Sequence, residues 1–158
     1  MCTRANQTVN LVSKERLESF LKALDEEDIL RFDKKYFNHR LKVQKYVFIA
    51  NNFGFKTPYT FSLYIHGPYS SSLADDYYAI ENYEENTPVE LDNSFVKLVK
   101  GKSEEWLELA ATIILIKNRY DKINRDFLIE LVRTAKPFAD KNRLKKIIRK
   151  LKRYDCLN

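Results

Sequence analysis

Residues 103–117, SEEWLELAATIILIK, decide the class of this fold. Ser103 offers a hydroxyl to the first free backbone N–H groups of a helix, and Glu104 and Glu105 suit the positive end of its dipole. From Trp106 to Ile116 the run is almost wholly apolar, which marks a helix meant for the interior. Downstream, Lys117 to Asn124 is a polar turn, after which Asn124 caps a second helix carrying Phe127, Leu128, Leu131 and Val132. Lys136-Pro137 stops it. A third helix is predicted from about Ala139 to Tyr154. Its Leu144, Ile147, Ile148, Leu151 and Tyr154 follow the i, i+3, i+4, i+7 rule. Three short helices joined by tight turns, over 103–155, resemble the core of a winged-helix or helix-turn-helix domain. No hairpin follows the third helix in the sequence to serve as a wing.

Upstream of that unit, Ser13 is placed to cap a first helix bearing Leu17, Phe20, Leu21 and Leu24, which the acidic run Asp25 to Asp28 ends. Residues 1–12 read as a disordered polar tail. After an irregular stretch from Arg31 to Arg40, Leu41 to Ala50 form a second, central helix, with Gly54 in the left-handed position beyond it. Tyr59 to His66 alternates as a half-buried strand would, with Phe61, Leu63 and Ile65 inward, and Gly67-Pro68 ends it. Ser70 to Ser72 can cap a helix over about 71–84, Val89 to Leu91 could be a second short strand, and a brief helix from Ser94 to Lys100 stops at Gly101. The expected fold is mainly α (α+β): about seven helices and a short two-stranded β element in one domain over residues 1–158.

Composition bounds the function. With 44% hydrophobic and 32% charged residues and no apolar run near the ~18 needed to span a bilayer, the chain reads as a soluble globule. The N-terminal ten residues lack the apolar core of a secretory signal, and the two cysteines, Cys2 and Cys156, lie at opposite ends. A cytoplasmic protein with reduced thiols is the simple expectation. Neither the two histidines nor the cysteines have metal-ligand spacing, and the three glycines form no phosphate-cradling motif. No metal, no cofactor and no catalytic set is therefore expected. The one arrangement with a catalytic look is His66, Ser70 and Asp75 about the Gly67-Pro68 turn; a capping serine and a dipole-paired aspartate explain the same residues.

Charge is distributed unevenly. Residues 133–158 hold ten Lys or Arg against Asp140 and Asp155, a net +8, so residues 1–132 sum to −2. Such asymmetry points to an anionic partner, the plain alternative being a solvated face. The candidate nucleic-acid contacts are Lys141, Lys145, Lys146, Arg149, Lys150, Lys152 and Arg153 for phosphates, with Asn142 for a base. Seven of the ten tyrosines fall between residues 46 and 83. They suit a recognition surface or the rim of the core; Tyr77 and Tyr78, being consecutive on a helix, cannot both face inward. Around this stretch a protein partner, or a second copy of the chain, is expected to meet Tyr64, His66, Gly67, Pro68, Tyr69 and Tyr78.

Residues 40–50, RLKVQKYVFIA, followed by residues 61–70, FSLYIHGPYS, resemble the YwgA-like group of uncharacterised prokaryotic proteins and, more remotely, the Panacea-type antitoxin domain. In both, a helix of the form KLQK-hydrophobic-Y precedes a strand ending in Y-GP and then a helix. Here Val43 stands where leucine is usual and His66 occupies the slot before Gly67-Pro68. The likeness covers about residues 40–84. It implies a mixed helical fold of the winged-helix kind, for the antitoxin relatives a toxin protein or DNA as partner, and no enzyme. Only Gly67, Pro68 and Tyr69 map onto the shared motif, and the extended-then-turn geometry of Gly-Pro alone accounts for it.

Overall fold

A computed structural model describes the backbone of residues 3–157 and the side chains of residues 12–157. Its elements, in order, are α1 (Thr3–Glu26), α2 (Phe37–Ala50), a single 3₁₀ turn over 51–53, β1 (Ser62–Tyr64), β2 (Gly67–Tyr69), α3 (Ser71–Ala79), α4 (Asn93–Val99), α5 (Glu104–Arg119), α6 (Arg125–Ala135) and α7 (Lys141–Arg153). The chain is mainly helical with one small antiparallel sheet, as its sequence predicts. No helix among the described residues is long and apolar enough to cross a membrane.

Two helices form the centre. On α5, Leu107, Leu109 to Ile114 and Ile116 are all buried, and on α2 every residue from Val43 to Ala50 is buried. A helix apolar on all sides is stable only when other elements cover it. Here α5 packs against α2, the β2 strand, α6 and α7, while α1 packs on α3. Local chemistry sets the boundaries. Ser70, Asp92, Ser103, Asn124 and Asp140 each cap a helix with a side-chain oxygen. Gly54 and Gly101 take left-handed φ values of 88° and 75° just after the 3₁₀ turn and α4.

Several expectations are corrected. Ser13 is not a cap: α1 runs through it, and its buried hydroxyl donates to Asp76 Oδ2 at 2.8 Å, where the Tyr59 hydroxyl also donates at 2.6 Å. Of the expected tail, residues 1 and 2 and the side chains of 3–11 lie outside the described residues. The second strand is not Val89–Leu91 but Gly67–Tyr69, and β1 spans only three residues because the chain reverses at Ile65 and His66. Leu63 and Ile65 therefore face solvent, Ile65 at 84% exposure, and only Phe61 packs on the core. α2 begins four residues earlier than Leu41, and α3 ends at Ala79, since Ile80 turns to extended backbone. Phe127 is exposed; Leu128, Ile129 and Val132 form the buried face of α6.

Candidate functional site

The thirteen residues of α7 separate into two faces. Leu144, Ile147, Ile148 and Leu151 are buried. At 3.6 residues per turn, Asn142, Lys145, Lys146, Arg149 and Arg153 lie on the opposite face, with Lys141 and Lys152 at one edge and Lys150 at the other. Two of the helix's cations have counter-ions: Lys141 Nζ stands 3.2 Å from Glu130, and Arg143 pairs with Glu105. Among the described residues, the other six, Lys145, Lys146, Arg149, Lys150, Lys152 and Arg153, form no ion pair. All eight residues named from the sequence thus fall on one helix, clear of its buried face, and Lys141 alone among them is neutralised by a neighbour.

The Gly67-Pro68 region is built differently from the expectation of a recognition surface. Ile65 and His66 make the turn without a positive φ, and Gly67 follows at φ 87°, in the left-handed region that favours glycine. Register pairs Ser62 with Tyr69, Leu63 with Pro68 and Tyr64 with Gly67. Buried polar side chains then clamp the hairpin backbone. Gln44 exchanges two hydrogen bonds of 2.9 Å with the backbone of Ser70, Lys45 Nζ donates to the Pro68 carbonyl at 2.7 Å, and Lys136 Nζ donates to the Ile65 carbonyl. Lys136 also meets Glu108 Oε1 at 3.2 Å, and His66 Nδ1 lies 3.4 Å from the same oxygen. Burial lowers the Lys45 ammonium to about 8, against the pull of Glu108 and with the push of Lys136.

Gly67 and Pro68 are buried, so neither can meet a partner; their part is to seat the hairpin on α2 and α5. Tyr64, His66 and Tyr78 are exposed, Tyr69 is half-buried and Tyr77 is buried, so the two consecutive tyrosines do not both face inward, although their rings touch with centroids 5.0 Å apart. Around the turn, Tyr64, Ile65, Phe37 and Phe138 all show more than half of their surface. Phe37 and Phe138 flank an open cleft of about 420 Å³ floored by Leu41, Lys45 and Glu108, with His66 edge-on to Phe37 at 5.7 Å.

The trio of His66, Ser70 and Asp75 is not assembled. Ser70 is buried with its hydroxyl capping α3 through the Leu73 N–H, His66 addresses Glu108, and Asp75 is exposed. Among the described residues no group of three or more His, Cys, Asp or Glu side chains is placed to hold a metal ion. Gln44, Lys45, Glu108 and Lys136 escaped the sequence reading. Their signals were a polar residue inside or beside an otherwise apolar helix and, for Gln44 and Lys45, a place in the KLQK-like stretch.

Comparison with protein-family models, curated proteins and solved structures finds no match to this chain.

Proposed function

We propose that this protein is a non-enzymatic nucleic-acid-binding module, of the winged-helix or helix-turn-helix kind, which contacts phosphates through the outer face of α7. The observation that supports this reading is the concentration of six cations without an ion pair, among the described residues, on a single thirteen-residue helix, clear of its buried face. Unneutralised charge concentrated on one helix disfavours the isolated protein and favours a polyanion that releases its counterions on binding. α7 is about 20 Å long at 1.5 Å per residue, enough to span several phosphates. Asn142, exposed on the first turn, is the side chain suited to a base edge.

The test is fluorescence anisotropy of labelled duplex DNA over a range of salt, with native protein and a Lys145→Glu, Arg149→Glu, Lys152→Glu variant. If four or five phosphates are neutralised, log K falls with log salt at a slope of about −4, and the variant, still folded on its buried Leu144, Ile148 and Leu151, does not bind. Absent or salt-independent binding by the native chain overturns the reading.

A second reading rests on a separate observation, the exposed apolar group of Phe37, Tyr64, Ile65 and Phe138 about the hairpin turn. Contiguous exposed apolar side chains mark protein contact surfaces. Native-mass measurement of the purified chain, alone and with Ile65→Asp, would show a dimer that the substitution dissolves if the partner is a second copy.

A further inference from the structure

Trp106 is the single tryptophan of the chain, half-buried on the first turn of α5. Two ammonium groups from different elements converge on its ring. Lys102, in the turn between α4 and α5, places Nζ 5.1 Å from the ring centroid, and Lys150 of α7 places Nζ at 5.9 Å. Neither lysine forms an ion pair among the described residues. Both backbones are held. Lys102 stands between Gly101, at φ 75°, and the Ser103 cap, and Lys150 lies beside the buried Leu151. An aromatic face attracts a cation, but only weakly where water competes, and two like charges brought to one ring repel each other. The Lys150 ammonium is lowered to about 8, first by its side-chain hydrogen bond with Lys102, then by burial and by the Lys102 and Arg153 charges. Two ammonium charges held at one ring disfavour each other, and an anion bound by both offsets that repulsion.

We propose that Lys102 and Lys150, set on Trp106, form the seat for a phosphate group of the bound nucleic acid, extending its footprint from α7 to the turn between α4 and α5. This rests on the nucleic-acid reading and adds to it a specific point of contact on a different element. Each ammonium donates to a non-bridging phosphate oxygen, a charge-assisted bond that suits two rotatable donors brought to one ring. Arg153, which acts on the same lysine, adds to the positive field.

Because Trp106 is the only indole, its emission, excited where tyrosine does not absorb, reports on the seat alone. The full chain is titrated with a labelled duplex and, separately, a labelled single strand, following label anisotropy and Trp106 emission together. A Lys102→Gln, Lys150→Gln variant, checked for native circular dichroism, is treated identically. The seat predicts that Trp106 emission changes in step with binding, and that the variant's salt slope on duplex is shallower by about 1, for the one phosphate whose neutralisation is lost. The two oligonucleotides tell whether the phosphate belongs to a duplex or a single strand. If the native chain binds but Trp106 stays silent and the variant keeps the native slope, the seat is wrong and the nucleic-acid reading stands. If the native chain binds neither oligonucleotide, both fall.

Discussion

The hydroxyl of Thr112 lies 3.0 Å from the point a Cβ on Gly67 would occupy, with Glu108 Cγ at 3.3 Å from that point. The tip of the hairpin therefore rests directly on α5, and Gly67 is required twice, for its φ of 87° and for this approach. Gly67→Ala is expected to cost about 2–4 kcal/mol, combining left-handed strain with the clash. Adding Thr112→Ala should return the part that comes from the clash and leave the strain. Urea unfolding of the two single variants and the double variant separates these contributions; strict additivity would show that the side chains do not meet.

Lys136 and Lys141 both pair with a glutamate, in opposite settings. Lys136 shows only 4% of its side chain and serves Glu108 and the Ile65 carbonyl, whereas Lys141 and Glu130 are both about half exposed. Lys136→Met leaves a largely buried carboxylate and a carbonyl without their donor and should lower stability by about 3 kcal/mol. Lys141→Met should cost no more than about 1 kcal/mol. Comparable losses in thermal unfolding would contradict the burial that distinguishes them.

His39 ties a loop to its own helix by accepting the Asp33 N–H at Nδ1, 3.0 Å away. Burial and the Lys42 charge hold the ring below its ordinary 6.5, with Asp33 and Glu104 opposing. The unfolded chain thus takes up this proton first as pH falls. The stability involved is whole above about 6.5 and drains away as pH drops through that value toward the folded pKa. His39→Asn retains an acceptor that does not titrate, so the fall in Tm between about pH 7 and pH 5 should be smaller in the variant than in the native chain. Parallel curves would assign the acid sensitivity elsewhere.

Cys156 is buried beneath the end of α7, and burial, helped by Asp155, pushes its thiol up to about 12. The thiolate is the reactive form, so the native thiol should be nearly inert to alkylation at neutral pH and react at the rate of a free cysteine only once urea opens the fold. The measurement belongs in a Cys2→Ser background. Rapid labelling of the native protein would mean that the segment 154–157 opens independently of α7.

Much of this architecture was legible because it is written in local chemistry. Ser103, Asn124 and Gly101 mark boundaries through the backbone groups within four residues of them, and the spacing of Leu144, Ile147, Ile148 and Leu151 states which side of α7 is buried wherever the helix happens to pack. The basic face of α7 followed from the same spacing. Ser13 was misread because its hydroxyl bonds to Asp76, 63 residues away, and a serine before an apolar period looks alike as a cap or as a helix-interior contact.

The hairpin, the buried lysines and the Trp106 seat were decided by the tertiary structure alone. A three-residue strand has too little pattern to name its partner, and its register here is set by Gln44, Lys45 and Lys136, which reach it from two other elements. Whether a lysine is solvated or buried depends on the neighbours that remove its water. Lys45 and Lys145 are therefore indistinguishable as letters, yet the first clamps a buried carbonyl while the second stays free of any ion pair on the open face of α7. Periodicity reports what a residue's own helix does with it; the electrostatic environment comes from residues distant in sequence, and only folding brings them together.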